Sequence, residues 1–276
     1  MNTQAVNSTL SETAAPLPNP QGVGLLVKAF QILDLFTDQR SAWTQADLAR
    51  ETGLARSTMS RLVRFLAARG YLLERHGRYT LGFTAVDLGR RAQSQFNLVD
   101  LAYDLIAELA QTTAETVILT GYDEARAHVV CLAQIASRYG GLRVFESVGT
   151  AYPLHSGATA KAVLAFLPER QIENVLGGDL APVNPAIETN VAKLREDIAR
   201  IRERHFAVTF EETYPGVTGV GVPVLTPRGQ PLGSIAVAGP ANRMDEEAIA
   251  RCAKALLEVG RKVTARIAGT AAGEPA

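Results

Sequence analysis

The spacing of apolar residues divides the chain into a helical first part and a mixed second part. In the first part apolar side chains recur every three or four residues, which predicts helices. Two short β-like runs follow, joined by His76-Gly77, a residue pair that favours a hairpin turn. The expected helices cover 22–37, 44–52 and 55–69, and the expected strands cover 71–75 and 78–82.

Two threonines are expected to begin helices. Thr44 has Asp47 three residues on, the spacing at which a hydroxyl accepts a hydrogen bond from a free backbone N–H of the first turn. Thr84 has the same relation to Asp87 and is expected to cap a helix over 84–95.

The second part, beyond about residue 114, alternates strand-like runs with helices after a long amphipathic helix at 98–111. The segment Pro227-Arg-Gly-Gln is a turn between the last two strands, which therefore pair antiparallel. This pattern indicates an α+β domain of roughly 170 residues. Strands are expected over 116–121, 127–135, 142–146, 206–210, 216–225 and 232–238, and helices over 156–167, 169–176, 190–204 and 245–267.

The composition is that of an ordinary soluble protein, with 47% hydrophobic and 20% charged residues. The longest stretches free of formal charge, such as Thr213–Pro227, are too short and too broken by Gly and Pro to span a bilayer. Cys131 and Cys252 lie too far apart in the chain to form a zinc cluster, and no signal peptide is visible. We therefore expect a cytoplasmic protein with no membrane span, metal or cofactor.

The net charge is zero over the whole chain, but the two parts carry opposite charges. Residues 1–91 hold 11 basic and 7 acidic side chains, and residues 92–276 hold 17 and 21. Within 44–91 the basic side chains are all arginines, nine against four acidic residues. Because guanidinium offers a planar fork of donors that matches phosphate, this excess points to nucleic acid, with a solvated helix face as the alternative.

Segment 45–64 carries the spacing of a helix-turn-helix, in which two helices pack through a tight turn. Counted from Gln45, Ala49 is the small residue at position 5 and Gly53 is the turn glycine at position 9. The inward positions 4, 10, 15 and 18 are Leu48, Leu54, Met59 and Leu62. With the hairpin that follows, the unit is predicted to be a winged helix-turn-helix.

One face of the second helix and the wing are expected to contact DNA. The outward positions combine small hydroxyls with arginines, which suits close approach to the major groove. Arg56 and Arg61 are expected to touch bases, while Arg50 and Arg69 are phosphate contacts or ordinary surface residues. The expected set is Thr44, Arg56, Ser57, Thr58, Ser60, Arg61, Arg64, Arg75, Arg78 and Tyr79.

Motifs in both parts resemble one known family. The first part contains Gln45-Ala-Asp-Leu-Ala-Arg-Glu-Thr-Gly-Leu-Ala-Arg-Ser-Thr-Met-Ser-Arg-Leu, Arg69-Gly-Tyr-Leu and Gly77-Arg-Tyr-Thr-Leu-Gly. The second contains Pro153-Leu-His-Ser-Gly-Ala-Thr-Ala-Lys-Ala-Val-Leu-Ala-Phe-Leu-Pro, Ile201-Arg-Glu-Arg-His-Phe-Ala-Val, Glu211-Glu-Thr-Tyr-Pro-Gly-Val and Ile235-Ala-Val-Ala-Gly-Pro-Ala-Asn-Arg. In this order the second set is specific to the IclR-type bacterial transcription regulators, which the chain resembles over about 22–266.

The resemblance implies an α+β protein in which a linker helix joins an N-terminal winged helix-turn-helix to a GAF-like effector-binding domain. The implied partners are a double-stranded DNA operator, a small-molecule effector and a second copy of the chain, held largely through the DNA-binding region. Pairs of dimers are common in such proteins. The expected segments are a disordered tail at 1–21, the winged helix-turn-helix domain at 22–83, the linker helix at 84–97, the GAF-like domain at 98–267 and a flexible tail at 268–276.

In the family, the effector pocket lies between the sheet and the Leu-His-Ser-Gly segment. Members that hold small carboxylates resemble one another in an acidic residue near Thr209 and serines near Ala236 and Ala238. Because this chain has Thr, Ala and Ala there, the resemblance favours a larger, aromatic acid over a small keto acid. Carried over motif by motif, the lining is Val144, Leu154, Ala158, Thr159, Thr209, Val217, Gly219, Ala236 and Ala238.

The start of the helix expected at 156–167 has two interpretations. Its free backbone N–H groups could hold a ligand carboxylate, with a hydroxyl from Thr159, or Ser156 simply caps the helix. Lys161, one turn in, is expected at the surface, and His155, between apolar neighbours, is expected in a structural role.

Two other functions remain open at this point. One is an enzyme with an appended winged helix, although the sequence has no Gly-x-Ser-x-Gly elbow, phosphate-binding loop or paired-cysteine spacing. Glu211 and Glu212 are strand neighbours that point opposite ways, so they do not form an acid/base pair. The other is a DNA-binding structural protein without a ligand. We expect no catalytic residue and favour a regulator. Its effector is expected to change the relative pose of the two DNA-binding domains of a dimer through the helices at 84–111.

Overall fold

The computed structural model describes residues 23–37, 40–95, 98–138 and 146–271. These residues form two compact units, an N-terminal unit that ends at Gln95 and a C-terminal unit that begins at Leu98. The tail expected at 1–21, most of the strand expected at 142–146 and the last residues of the chain lie outside the described residues. The final helix runs to Ala271, so the first residues of the segment expected as a flexible tail are helical.

The described N-terminal unit packs four helices against a small antiparallel sheet of order β1-β3-β2. Its elements are α1 (Gly24–Asp34), β1 (Trp43–Thr44), α2 (Gln45–Thr52), α3 (Arg56–Ala68), β2 (Leu72–Arg75), β3 (Arg78–Leu81) and α4 (Phe83–Gln95). One apolar core joins α1, α2 and α3 to the sheet, and it is made of Ile32, Trp43, Leu48, Met59, Leu62, Val63, Leu66 and Leu72.

The helix-turn-helix forms because several local signals act together. Thr44 Oγ1 accepts a hydrogen bond from the backbone N–H of Asp47 at 3.1 Å and so begins α2, as predicted. Gly53 ends α2 with a φ of 67°, a left-handed conformation that favours glycine. The inward positions predicted from the sequence are buried or half-buried, namely Leu48, Leu54, Met59 and Leu62.

The wing is the hairpin formed by β2 and β3. His76 and Gly77 both have positive φ, 52° and 73°, as the two central residues of a type I′ turn require. The sequence analysis missed β1, in which Trp43 pairs with Tyr79 of β3. A strand of two residues is too short to show the alternation by which strands are recognised.

The described part of the C-terminal unit contains a six-stranded sheet of order β6-β5-β4-β9-β8-β7, with every neighbouring pair antiparallel. Its helices are α5 (Leu98–Thr113), α6 (Ala158–Leu164), α7 (Glu169–Leu176), α8 (Val191–Arg204) and α9 (Glu246–Ala271). Its strands are β4 (Thr116–Asp123), β5 (His128–Ile135), β6 (Ala151–Pro153), β7 (Ala207–Phe210), β8 (Val217–Leu225) and β9 (Pro231–Pro240). The predicted antiparallel pairing of the last two strands is confirmed, and β6 was not expected.

Two helices begin at residues other than those expected. Thr84 does not cap α4, which begins at Phe83; its hydroxyl instead donates to the carbonyl of Arg69 at 3.0 Å. The helix expected from residue 156 begins only at Ala158, because Gly157 has a φ of 89° and cannot be part of a right-handed helix.

Alternation along the strands sends side chains to the two faces of the large sheet. In β9, Ile235 and Val237 belong to a core shared with α5 and α9, whereas Ala236 and Ala238 point to the opposite face. On that opposite face α6 packs against β8 and β9. The predicted α+β class is confirmed. None of the described helices is both long and apolar enough to cross a membrane.

Candidate functional site

Helix α3 separates a buried face from an exposed one. Its apolar residues Met59, Leu62, Val63 and Leu66 are buried in the N-terminal core. The residues predicted to contact DNA occupy the other side: Arg56, Ser57, Arg61 and Arg64 are exposed, and Thr58 and Ser60 are half-buried. The helix therefore presents a continuous row of arginines and hydroxyls to solvent, which suits the major groove of B-DNA.

Ion pairs separate the arginines of the N-terminal unit into two groups. The paired ones are Arg40, Arg50, Arg90 and Arg91, whose partners include Asp47 and Asp87. Arg56 and Arg61 of α3 make no ion pair with any described residue. The excess positive charge is therefore concentrated on α3 and the wing, whereas the charge of Arg50 is paired with Asp47 within α2.

The wing brings two arginines together. Arg75 and Arg78 lie directly opposite each other across the β2–β3 pair, on either side of the tight turn, and both are exposed. Like charges in this position repel, so an anion between the two guanidinium groups would relieve an unfavourable contact. A DNA phosphate is such an anion.

Two of the residues predicted to contact DNA also have structural roles. The hydroxyl of Thr44 is engaged in the cap of α2. Tyr79 lies in the middle of β3 between Trp43 and Glu74, half-buried against the core, and this burial raises the pKa of its hydroxyl. Tyr79 is thus farther from the tip of the wing than Arg75 and Arg78.

Several residues predicted to line an effector pocket meet around β8. Gly219 is paired with Thr209 of β7 on one side and with Ala238 of β9 on the other. A Cβ atom at Gly219 would lie 3.0 Å from Cβ of Ala158 and 3.2 Å from Oγ1 of Thr209. Four predicted lining residues therefore come together where α6 rests on the sheet.

A small apolar cluster continues this region toward β4 and β5. It consists of Ile118, Cys131, Val217 and Ala238, with Tyr214 packed against it. Burial raises the pKa of the Cys131 thiol to about 12, so this residue is an uncharged apolar group here. Ala236 pairs with Ile118 on the same face.

The remaining predicted lining residues are placed differently. Leu154 is buried in a separate core beneath α6, and Thr159 is buried within α6 itself. Val144 lies outside the described residues.

The sequence analysis missed a polar group beside the apolar cluster. Glu146 is only 6% exposed, and its Oε2 atom has no hydrogen-bond partner within the described ranges. Burial raises the pKa of Glu146 to about 7. The hydroxyl groups of Tyr152 and Tyr214 are hydrogen-bonded to each other. No spacing rule links these three residues, because they come from separate loops and strands.

A carboxylate of the chain itself lies beside the residue that precedes α6. The backbone N–H of Gly157 donates to Oε2 of Glu212 at 3.0 Å, and Ser156 donates its hydroxyl hydrogen to the carbonyl of Glu212 at 3.1 Å. The interpretation that Ser156 caps the helix is therefore wrong. Glu212 takes the N–H of Gly157, the residue before α6, and the interpretation that the free N–H groups of the first turn hold a ligand carboxylate stays a prediction.

Lys161 is also not a surface residue. Its side chain is 6% exposed, and Nζ lies 2.7 Å from Oδ2 of Asp197 and 2.6 Å from Oε1 of Glu212. The three residues form a buried ion cluster that ties α6 to α8 and to the loop after β7. His155 is buried nearby and donates from Nε2 to the carbonyl of Ala181 at 2.9 Å, which fits the structural role expected for it.

The described residues offer little for metal or acid/base chemistry. Across the described ranges, no group of three or more His, Cys, Asp or Glu side chains could hold a metal ion. The neighbours Glu211 and Glu212 do not face a common site: Glu212 pairs with Lys161, whereas Glu211 has a positive φ of 58° and offers its carbonyl to Asn184.

Comparison with known proteins covers both units. A family described as "Bacterial transcriptional regulator IclR C-terminal" matches residues 90–265, and one described as "IclR helix-turn-helix domain" matches residues 25–76. An HTH-type transcriptional regulator of Mycobacterium tuberculosis is 32% identical over 252 residues, which cover 90% of this chain and 94% of the relative.

Solved structures of similar proteins have the same fold. The IclR protein of Thermotoga maritima has 27% sequence identity and a TM-score of 0.72, covering 88% of this chain and 98% of that one. An IclR homologue from Microbacterium hydrocarbonoxydans has 22% identity and a TM-score of 0.76, covering 89% of this chain and 99% of that one. That homologue was solved in complex with 4-hydroxybenzoate.

Proposed function

Because the chain belongs to the IclR family of bacterial transcriptional regulators, we propose that it binds a pseudo-palindromic operator as a homodimer and responds to a small organic acid. It is a transcriptional regulator with a helix-turn-helix DNA-binding domain and a C-terminal effector domain. We assign the DNA-binding domain to 22–83, the linker helix to 84–97 and the effector domain to 98–267. Its activity is binding rather than catalysis, as in the relatives named as regulators.

The exposed arginine row of α3 carries the DNA-binding part of the proposal. Arg56 and Arg61 are exposed and have no ion pair within the described part of the chain, so each guanidinium is free to form a bidentate contact with guanine or with phosphate. Arg75 and Arg78 of the wing would contact the phosphate backbone of the DNA beside the groove. Ser57 and Ser60 are small enough to let the helix approach closely.

Replacing Arg61 with Ala is expected to weaken operator binding by about 1–3 kcal/mol and to relax the preference for the base that it contacts. The loss arises because a bidentate contact disappears while the fold of α3, whose opposite side is buried, stays intact. Binding to operator variants with single base changes, measured by fluorescence anisotropy at fixed salt, tests this result.

The matched control is Arg50→Ala, which removes an arginine already paired with Asp47. It should change operator affinity much less than Arg61→Ala and leave base preference unaltered. Equal affinity and equal base preference for Arg61→Ala and the unmodified chain would remove Arg61 from the reading surface.

Exposed apolar residues support the dimer. Leu26 and Phe30 of α1 are 58% and 62% exposed, and Phe83 and Val86 of α4 are 78% and 66% exposed. Each pair lies on one side of its helix, at a spacing of three or four residues. Apolar side chains exposed to this extent mark protein interfaces, so a second copy of the chain is expected to cover them, with tetramers as pairs of such dimers.

The face of the large sheet toward α6 supports the effector part of the proposal. Ala238, Val217 and Gly219 leave the area beside α6 lined by small and apolar groups. Such a lining suits a hydrophobic ligand held by few polar groups, and we infer an aromatic acid. The complex of the Microbacterium homologue with 4-hydroxybenzoate supports this ligand class.

Replacing Ala238 with Phe is expected to abolish the effector response while leaving operator binding in place. The larger ring would extend over the face of the sheet that carries Ile118, Cys131 and Val217, where the ligand is proposed to bind. Operator affinity is measured with and without millimolar benzoate. The smaller step Ala238→Val serves as a graded control and should weaken the response only in part. A full response in Ala238→Phe would place the pocket elsewhere.

Effector binding is proposed to change operator affinity by a coupling free energy of about 1–3 kcal/mol, or about 5–150-fold. A panel of small acids in a thermal-shift experiment separates this proposal from its alternatives. A stabilised chain with no chemical change in the acid supports a regulator. No shift with any acid would favour a structural DNA-binding protein, and turnover of an acid would favour an enzyme.

A further inference from the structure

A polar group borders the apolar cluster of Ile118, Cys131, Val217 and Ala238. Glu146 is more than nine-tenths buried, and one of its carboxyl oxygens has no hydrogen-bond partner among the residues that the structure describes. A buried acceptor without a partner is unfavourable by an amount comparable to a lost hydrogen bond. Such an atom can accept a hydrogen bond from a bound ligand.

Among the described residues, the surroundings of Glu146 contain hydroxyl and thiol groups but no cation. Burial raises the pKa of Cys131, Tyr152 and Tyr214, and the charge of Glu146 adds to the rise in each, which places all three side chains close to the carboxyl. Of the residues that the structure describes, no lysine or arginine affects the pKa of Glu146, which burial alone raises. A negatively charged ligand group is therefore unfavourable at this end of the pocket.

The two neighbouring tyrosines have one hydroxyl hydrogen that their mutual hydrogen bond does not use. Tyr152 and Tyr214 share one hydrogen bond between their hydroxyl groups, so one of the two hydroxyl hydrogens is used and the other is free to donate. A ligand hydroxyl can accept that hydrogen and donate its own to Glu146. An ammonium group can donate to Glu146 but has no lone pair with which to accept from tyrosine.

We propose that Glu146 is a specificity-determining residue of the effector pocket and accepts a hydrogen bond from a hydroxyl group of the effector. The inference rests on the proposed function, in which the C-terminal domain binds an acid. It adds that the acid is hydroxylated and that its carboxylate points away from Glu146. Tyr152 and Tyr214 position the same hydroxyl by donating to its oxygen.

The inference is tested by binding of matched acids with and without a hydroxyl group. Isothermal titration of the full chain with benzoate, 3-hydroxybenzoate and 4-hydroxybenzoate gives the preference for hydroxyl as a ratio of dissociation constants. At least one hydroxybenzoate is expected to bind about tenfold more tightly than benzoate. Glu146→Leu should reduce that ratio to about one, whereas Glu146→Gln, which keeps an acceptor oxygen, should retain a preference of several-fold.

The outcomes distinguish this inference from the proposed function. Equal binding of benzoate and both hydroxybenzoates would overturn the role of Glu146 and leave the aromatic acid effector in place. Tighter binding of 4-(aminomethyl)benzoate than of the hydroxybenzoates would also overturn it, because the site would then prefer a cation. If no benzoate binds, pentanoate and 5-hydroxypentanoate are compared. A preference for the hydroxy acid would support Glu146 and remove only the aromatic ring, and no binding of either would overturn both proposals.

Discussion

The substitution Lys161→Met is expected to lower the free energy of unfolding by about 3–5 kcal/mol. Lys161 donates to both Asp197 and Glu212, and all three side chains are at least 84% buried. Methionine fills a similar volume but removes the cation that the two carboxylates share, and Asp197 then keeps only Arg200 as a cationic partner. Burial by itself would raise the pKa of Asp197, and the hydrogen bonds and charges of Lys161 and Arg200 together outweigh it. Removing Lys161 therefore leaves the desolvation of the acids less well compensated, most of all at Glu212.

Unfolding in urea is the measurement that checks this loss. Trp43 is the chain's only tryptophan and lies in the N-terminal unit, so its fluorescence follows that unit, whereas far-UV circular dichroism follows both. The destabilisation is expected in the circular dichroism transition. The loss of stability in Lys161→Met should be smaller at low pH, because a protonated carboxyl carries no charge that the lysine would have to balance.

Lys262→Met is the matched control for this prediction. Lys262 pairs with Glu258 at 2.8 Å on the surface of α9, with both side chains at least 50% exposed. An exposed pair of this kind contributes about 0–1 kcal/mol, so its removal should change stability little. Similar losses in the two lysine variants would show that the buried cluster does not hold α6 in place.

The helix-turn-helix could be predicted from sequence because its signals are local. The cap at Thr44, the turn at Gly53 and the inward residue Met59 all lie within a stretch of about 20 residues. Each is read from spacing that the helix itself imposes. The face opposite the buried residues follows from the same spacing, which is why the exposed arginines of α3 were identified correctly as an exposed row.

The environment of Lys161 could not be predicted in this way. Its partners lie 36 and 51 residues further along the chain, at Asp197 and Glu212. Only the packing of α6 against α8 and the sheet brings them together. A lysine one turn into a helix has no local feature that distinguishes a buried ion pair from a solvated side chain.

The position of Glu146 beside the proposed pocket could not be predicted from the sequence either. The family resemblance supplied positions on β7, β8 and β9, and the side chains present there suggested a weakly polar lining. The tertiary fold adds a carboxyl from outside those strands, beside the hydroxyls of Tyr152 and Tyr214. In the pocket that we propose, the polar groups therefore lie at a different end from the positions that the resemblance supplied.

The free energy of unfolding of the Glu146→Gln chain, relative to that of the unmodified chain, is expected to rise by about 3 kcal/mol as the pH is raised from about 4 to about 8. The folded-state pKa of Glu146 is about 7, against an ordinary value of 4.5. Between these values the folded chain keeps a proton that the unfolded chain has released. Stability then falls as pH rises, by about 1.4 kcal/mol per pH unit for this group, until the carboxyl ionises near pH 7.

The groups that face Glu146 do not change this sign. Burial and the nearby carboxyl raise the pKa of Cys131, Tyr152 and Tyr214, so these groups stay neutral through the whole range. A glutamine at position 146 carries a buried amide whose own penalty does not depend on pH, so it cancels in the comparison between two pH values. The free energy of unfolding of both chains is measured in urea at each pH.

An exposed glutamate provides the comparison that isolates burial as the cause. Glu196 lies on the solvent side of α8, and Glu196→Gln should alter the difference between the two pH values far less than Glu146→Gln. An equal pH dependence in the two variants would mean that Glu146 is already ionised in the folded chain. A hydroxylated acid that donates to Glu146 should then be tested as a ligand of the carboxylate, because the acceptor role of Oε2 does not require the proton.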